Sequence, residues 1–171
     1  MAEVFIGVGS NIAPEEHLVK ALRTLQHHVA VIAVATVYRT PPIGRPEQED
    51  YLNTVWQIRT EHTPHHVKFN ILRPIEASLG RVRSEDAYAA RSIDLDILMY
   101  GDMVLHDADL ILPDPDIRTR PFLAIPLLEL APALLLPDTR ESLQHVVAAL
   151  RQTELIPVPH ITQQLQRILA P

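Results

Sequence analysis

The sequence predicts an α+β fold: a ferredoxin-like antiparallel sheet with helices on both faces, three layers in αβα order. Three observations point to it. Strand-like and helix-like segments follow one another as strand, helix, strand, strand, helix, strand. Two more helical stretches come later and can cover the second face. No internal repeat or low-complexity tract divides the 171 residues, so 1–171 reads as a single domain.

Val4 to Val8 is a short apolar, β-branched and aromatic run ending at Gly9, which reads as a strand. Ser10 or Asn11, then Pro14, Glu15 and Glu16, look like a helix start, with cap-type residues, an early proline and acids at the positive end of the dipole. Leu18, Ala21, Leu22 and Leu25 recur at helical spacing behind it. Val29 to Tyr38 reads as a second strand, and Pro41 to Asp50, with its prolines, Gly44 and charges, as a long exposed loop. Leu52 to Arg59 returns to strand character. His65 to Gly80 reads as a helix with Val67, Ile71, Ile75 and Leu79 on one face and Gly80 as its stop. Pro74 lies inside it and costs about 3 kcal/mol or a kink, so the helix bends there or its boundary moves. Arg81 to Arg91 reads as a loop and Ile93 to Tyr100 as a strand, with Gly101-Asp102 turning the chain into Met103 to Leu105. Pro121 to Leu130 and Glu141 to Leu150 are the later helices.

Composition narrows the function. Apolar residues make up 47 % of the chain, which argues against disorder. With no cysteine there is neither a disulfide nor a thiolate metal site. A net charge of −6 is the wrong sign for a general nucleic-acid binder, so no nucleic-acid partner is expected. The most apolar segment, Leu123 to Pro137, is broken by Glu129 and three prolines, so no membrane span is expected. The N-terminus lacks the pattern of a signal peptide, and the expected location is the cytoplasm.

Asp94-Leu95-Asp96 is the sharpest chemical feature. Residues two apart on a strand share a face, so both carboxylates project together, and their repulsion is relieved if a divalent cation lies between them. Hard oxygen ligands favour Mg²⁺. Taken alone, the pair fits a solvated sheet face equally well. Arg81, Arg83 and Arg91 precede the acids, and acids beside arginines describe a polyphosphate site. The bland alternative is exposed ion pairing of these arginines with Glu85 and Asp86. No glycine-rich phosphate loop occurs, so ATP binding would lean on arginines and metal. Tyr51, Asn53 and Phe122 offer rings and an amide suited to a flat heterocycle, although core packing of the rings and a loop-ending Asn53 explain them better in isolation. His62, His65 and His66 read as surface residues.

Together these residues resemble one family, the 6-hydroxymethyl-7,8-dihydropterin pyrophosphokinases. The resemblance runs through Ile6-Gly-Val-Gly-Ser-Asn11, Tyr38-Arg-Thr-Pro-Pro-Ile-Gly44, Asp50-Tyr-Leu-Asn53, Ile75-Glu76, Gly80-Arg-Val-Arg83, Arg91-Ser-Ile-Asp-Leu-Asp-Ile97, Arg120-Pro-Phe122 and Leu130-Ala-Pro132. It implies pyrophosphoryl transfer from ATP to the pterin hydroxymethyl group in folate synthesis, with AMP released. It implies two Mg²⁺ ions held by Asp94 and Asp96, with Arg81 and Arg91 joining these acids in catalysis. Arg83, Glu76, Ile97 and Arg120 fall on the nucleotide side. Thr40, Pro41, Ile43 and Asn53 read the pterin edge, between Tyr51 and Phe122. The expected partners are thus ATP and hydroxymethyl-dihydropterin, bound by a monomer.

The chain departs from the family pattern at Asp114, where a phosphate-contacting histidine usually follows the proline, at Tyr88 in place of a tryptophan, and at Ala89-Ala90 in place of Gly-Pro. Asp114 should turn from the phosphates, pair with Arg118 or Arg120, or reach the phosphates through a metal-bound water. It also leaves open a catalytically weak pterin- or nucleotide-binding relative. A ferredoxin-like module that only docks a protein partner fits less well, because metal acids, arginines and Tyr51-Leu52-Asn53 occur together.

Overall fold

The computed structural model describes residues 1–151 and 154–171. Its centre is an antiparallel sheet whose path runs β5 (Asp94–Tyr100), β1 (Ala2–Ser10), β4 (Tyr51–Thr60), β3 (Tyr38–Thr40) and β8 (Ile156–Pro157), with β2 (Ala30–Val34) also paired to β4. β1 (Ala2–Ser10) is buried from Val4 onward and lies between β4 and β5. β5 is therefore an edge strand.

The stretch predicted as one strand, Val29 to Tyr38, is two. β2 (Ala30–Val34) and β3 (Tyr38–Thr40) follow one another along β4 (Tyr51–Thr60). Between them the backbone donors find other partners. The N–H of Ala35 donates to Val55 O at 2.9 Å, that of Thr36 to the Glu129 carboxylate at 3.0 Å and that of Val37 to the Thr162 hydroxyl at 2.9 Å. These long-range acceptors keep the break free of orphaned donors.

α1 (Pro14–Gln26) buries Leu18, Ala21, Leu22 and Leu25, as its periodicity predicts. Its cap differs from expectation. Ala13, in the left-handed region at φ 41°, holds the N-cap position without a side-chain bond. Ser10 and Asn11 turn instead to the segment before β5: the Ser10 hydroxyl donates to Ser92 O at 2.5 Å, and Asn11 Oδ1 accepts from Arg91 N at 2.8 Å.

The helix around Pro74 neither breaks nor simply bends. α2 (Pro64–His66) passes into a π-helical segment, Val67–Leu72, and then into α3 (Arg73–Ser78). The Arg73 N–H reaches back to Lys68 O, and Pro74 opens the next α-helical turn. The wide turn absorbs the proline, which has no N–H to give.

After β5 (Asp94–Tyr100) the turn at Gly101 does not fold Met103 to Leu105 back onto that strand. Instead β6 (Leu105–His106) pairs with β7 (Ile111–Leu112), and Met103 and Val104 stay exposed. A 3₁₀ turn, Pro115–Arg118, leads to α4 (Pro121–Leu130), which has the predicted limits. α5 (Leu143–Ala149) is shorter than expected because Ser142 caps it, its hydroxyl accepting from His145 N at 3.1 Å. β8 (Ile156–Pro157) and α6 (Pro159–Leu169) were not anticipated.

The three layers follow from two apolar clusters on opposite sheet faces. Val4, Ile6, Val8, Trp56 and Ile58 pack with Leu18, Leu22, Ile71 and Ile75, and with Ile161 and Leu165 of α6. Phe5, Val55 and Leu98 pack on the other side with Ala124 and Leu127 of α4 and Leu143 and Val146 of α5. No helix among the described residues is long and apolar enough to cross a membrane. Leu165 is fully buried, so Leu165→Ala should cost about 2–5 kcal/mol in urea unfolding. A loss below about 1 kcal/mol would mean that α6 is not part of the core.

Candidate active site

Antiparallel register aligns the predicted site residues across three adjacent strands. Asp94 of β5 pairs with Gly9 of β1, which pairs with Asn53 of β4. One step along, Asp96 pairs with Gly7, which pairs with Val55. Paired residues share a face, so Asp94, Asp96 and Asn53 stand on the side that α4 and α5 cover only in part. The uncovered part is a cleft of about 300 Å³. Asp94, Asp96, Arg91, Tyr51, Asn53, Thr40, Pro41, Ile43, Arg120 and Phe122 all line it.

Glycines make the floor. A Cβ on Gly9 would stand 2.7 Å from Asn53 Oδ1, and one on Gly7 3.1 Å from side-chain carbons of Leu98 and Leu123. Neither glycine has a positive φ, so the need here is for space rather than for an unusual backbone. Gly7 and Gly9 belong to the segment Ile6–Asn11 quoted for the resemblance, but their role as open floor was not read from it.

Asn53 is buried, and its Nδ2 donates to Thr40 Oγ1 at 2.7 Å. That bond fixes the amide and leaves its carbonyl oxygen and second N–H for a ligand edge. Tyr51 is half-buried, and burial, the largest influence, raises its pKa. The Arg120 guanidinium lies 5.8 Å from the centre of the Phe122 ring.

The two aspartates differ in their surroundings. Asp94 accepts from Arg81 at 2.8 Å and from Arg91 at 2.5 Å. Burial works to raise its pKa, but Arg91 and Arg81 outweigh that and hold it below the usual carboxylate value. Asp96 has no side-chain hydrogen bond among the described residues. Its side chain is exposed to solvent in the cleft. Even so, desolvation by the protein around it, and next the charges of Asp94, Glu76 and Asp114, push its pKa up to about 7. A divalent cation between the two would replace repulsion by attraction, and two carboxylates with open cleft beside them suit a hard ion that also takes phosphate oxygens. No cluster of three or more His, Asp or Glu side chains suited to a metal occurs among the described residues, so such an ion would need substrate oxygens to complete its shell.

Some predicted residues stand behind this wall. Glu76 is buried at 1 % exposure, accepting from Arg83 at 2.6 Å, from Arg81 at 3.3 Å and from Leu95 N at 3.2 Å. It thereby satisfies an edge donor of β5 and anchors two arginines, with burial the main cause of its raised pKa. Arg81 and Arg83 do not line the cleft, and neither pairs with Glu85 or Asp86; Asp86 pairs with Arg45. Ile97 lines a second cavity of about 270 Å³, which shares Asp96 and Asp114 with the first. Asp114 pairs with neither expected arginine. Its carboxylate caps the 3₁₀ turn, accepting from Asp116 N at 2.8 Å, while Arg120 pairs with Asp116 at 3.0 Å and Arg118 with Asp138 at 2.8 Å.

The loops of 41–50 and 83–91 are fastened over the cleft. Arg45 pairs with Asp86, Gln48 Nε2 donates to Tyr88 O at 2.8 Å, and the Tyr88 ring lies 3.5 Å from where a Cβ on Gly44 would stand. Tyr88 itself lines the cleft.

Comparison with known proteins identifies the family. The family model described as 7,8-dihydro-6-hydroxymethylpterin-pyrophosphokinase (HPPK) matches residues 5–132. A 2-amino-4-hydroxy-6-hydroxymethyldihydropteridine pyrophosphokinase of Methylorubrum extorquens is 38 % identical over 80 % of this chain and 87 % of its own. One of the same name from Haemophilus influenzae is 34 % identical over 82 % and 88 %. The solved Plasmodium falciparum HPPK-DHPS with pteroate shares the fold at a TM-score of 0.67 and 11 % identity, over 86 % of this chain and 42 % of that one. By the matched span and these identities, the chain belongs to the 7,8-dihydro-6-hydroxymethylpterin-pyrophosphokinase family.

Proposed function

We propose that this chain transfers pyrophosphate from ATP to 6-hydroxymethyl-7,8-dihydropterin. The observation that carries the reading is the row Asp94–Gly9–Asn53. It brings a metal-type acid and a ring-reading amide onto one bare sheet face within a single cleft.

The pterin lies over Gly9, its edge read by Asn53 and Thr40 and its faces met by Tyr51 and Phe122. Pro41 and Ile43 close one side, and Tyr88 closes another. The triphosphate runs past Asp96 toward the second cavity, where Ile97 stands. Asp94 and Asp96 would hold Mg²⁺, expected as two ions, and the metal would supply neutralisation of phosphate charge and activation of the attacking hydroxyl. The hydroxymethyl oxygen forms a bond to the β-phosphorus, the bond from that phosphorus to the α,β-bridging oxygen breaks, and AMP departs with that oxygen. Such a reaction asks the protein mainly for position and charge. Arg91 holds Asp94 in place and lines the cleft, where it can also meet phosphate. Arg81 and Glu76 keep β5 in register behind it. β8 and α6 tie the C-terminal segment into the same sheet and core, which supports one domain. An ATP co-substrate supports a cytoplasmic location.

Incubation with ATP, Mg²⁺ and the pterin should yield AMP and a pterin diphosphate. Accumulation of ADP would show a single-phosphate transfer, and no turnover would favour the binding-only relative that Asp114 left open.

Gly9→Ala should press on Asn53, which Thr40 already holds. Pterin affinity should fall by roughly 1–2 kcal/mol in calorimetry while ATP affinity stays level. Unchanged pterin affinity would place the ring elsewhere.

A further inference from the structure

The second cavity raises a charge problem. Its lining includes four aspartates, Asp96, Asp107, Asp109 and Asp114, and a single basic residue, Lys68. A triphosphate entering past Asp96 and Asp114 would meet net repulsion at this wall unless a cation answers it. Asp107 is already engaged, by His65 Nε2 at 2.7 Å and by the backbone N–H groups of Asp109 and Leu110 at 2.9 and 2.8 Å.

The arginines near the aspartates of β5 are ion-paired in the free protein. Arg81, Arg83, Arg91 and Arg120 each hold a carboxylate. Lys68 differs: its ammonium donates to the backbone carbonyl of Asp109, a neutral acceptor, and no carboxylate lies within ion-pairing distance of it among the described residues. It projects from the π-helical segment into the cavity on a flexible stem, half-buried. An ammonium on a four-carbon stem can leave a neutral carbonyl and follow a phosphate as a point charge.

We propose that Lys68 is a nucleotide-binding residue of this chain, meeting the ATP phosphates from the second cavity where Asp114 offers no donor. The inference rests on the proposed reaction for the identity of its ligand, but binding tests it without turnover.

The alternative is that Lys68 only pins the 107–110 turn to the helix. Lys68→Gln separates the two roles, because glutamine can still donate to the Asp109 carbonyl but carries no charge. Affinities for a non-hydrolysable ATP analogue at fixed Mg²⁺ should fall about tenfold in Lys68→Gln and in Lys68→Ala, and stay within about threefold in Lys68→Arg. The wild type should lose ATP-analogue affinity with added salt more steeply than Lys68→Gln does. Pterin affinity should not change in any variant, and adenosine should bind wild type and Lys68→Gln alike. Wild-type affinity for the ATP analogue in Lys68→Gln would overturn the proposal, as would an equal loss for adenosine, which would mark a structural role. If the wild type binds the ATP analogue but never releases AMP from ATP and pterin, the reaction fails while the assignment of Lys68 stands.

Discussion

The site depends on one unfavourable interaction, the repulsion between two carboxylates fixed on the same face of an edge strand. Asp94 is made tolerable by Arg81 and Arg91. Asp96 receives no such partner and keeps a raised pKa at the cleft floor. The fold spends other groups to maintain this state. Glu76, fully buried, anchors Arg81 and occupies the Leu95 N–H that an edge strand would otherwise leave open. A buried acid of that kind needs the arginines as much as they need it, because removing one partner strands a charge. The network reads as a brace that holds a strained pair of charges ready for a cation.

Space is the second constraint. The sheet face shared by α4 and α5 would be an ordinary core if it were filled throughout, and near Val55 and Leu98 it is. Where Gly7 and Gly9 replace side chains, the layer opens and Asn53 becomes reachable from the cleft. Asn53 and the two aspartates thereby stand on the two strands that flank β1, and the register of β1 sets the distance between them. A one-residue slip would turn Asp94 and Asn53 into the opposite core.

Features that depend on local periodicity were legible in the sequence. The shared face of Asp94 and Asp96, the buried stripe of α1 and the limits of α4 all follow from spacing alone. Features decided by distant partners were not. The split of Val29 to Tyr38 depends on Glu129 and Thr162 accepting backbone donors across the molecule. Asn11 has the composition of a helix cap, but Arg91 N and the Gln48 side chain claim it. Pro74 signalled trouble correctly, yet only the structure shows a wide turn as its solution. Arginine roles were the least legible, because charge pattern shows that cations are present and not which carboxylate each one holds.

Carbon-13 titration of the Asp96 carboxyl measures the central claim most directly. In the metal-free protein it should titrate near pH 7, holding its proton below that value, because burial and neighbouring acids disfavour the charged form. With Mg²⁺ and a non-hydrolysable ATP analogue it should stay ionised down to about pH 4 or lower, as expected for a carboxylate facing a cation. An ordinary carboxylate pKa near 4 in the free protein, unmoved by metal and nucleotide, would contradict the account.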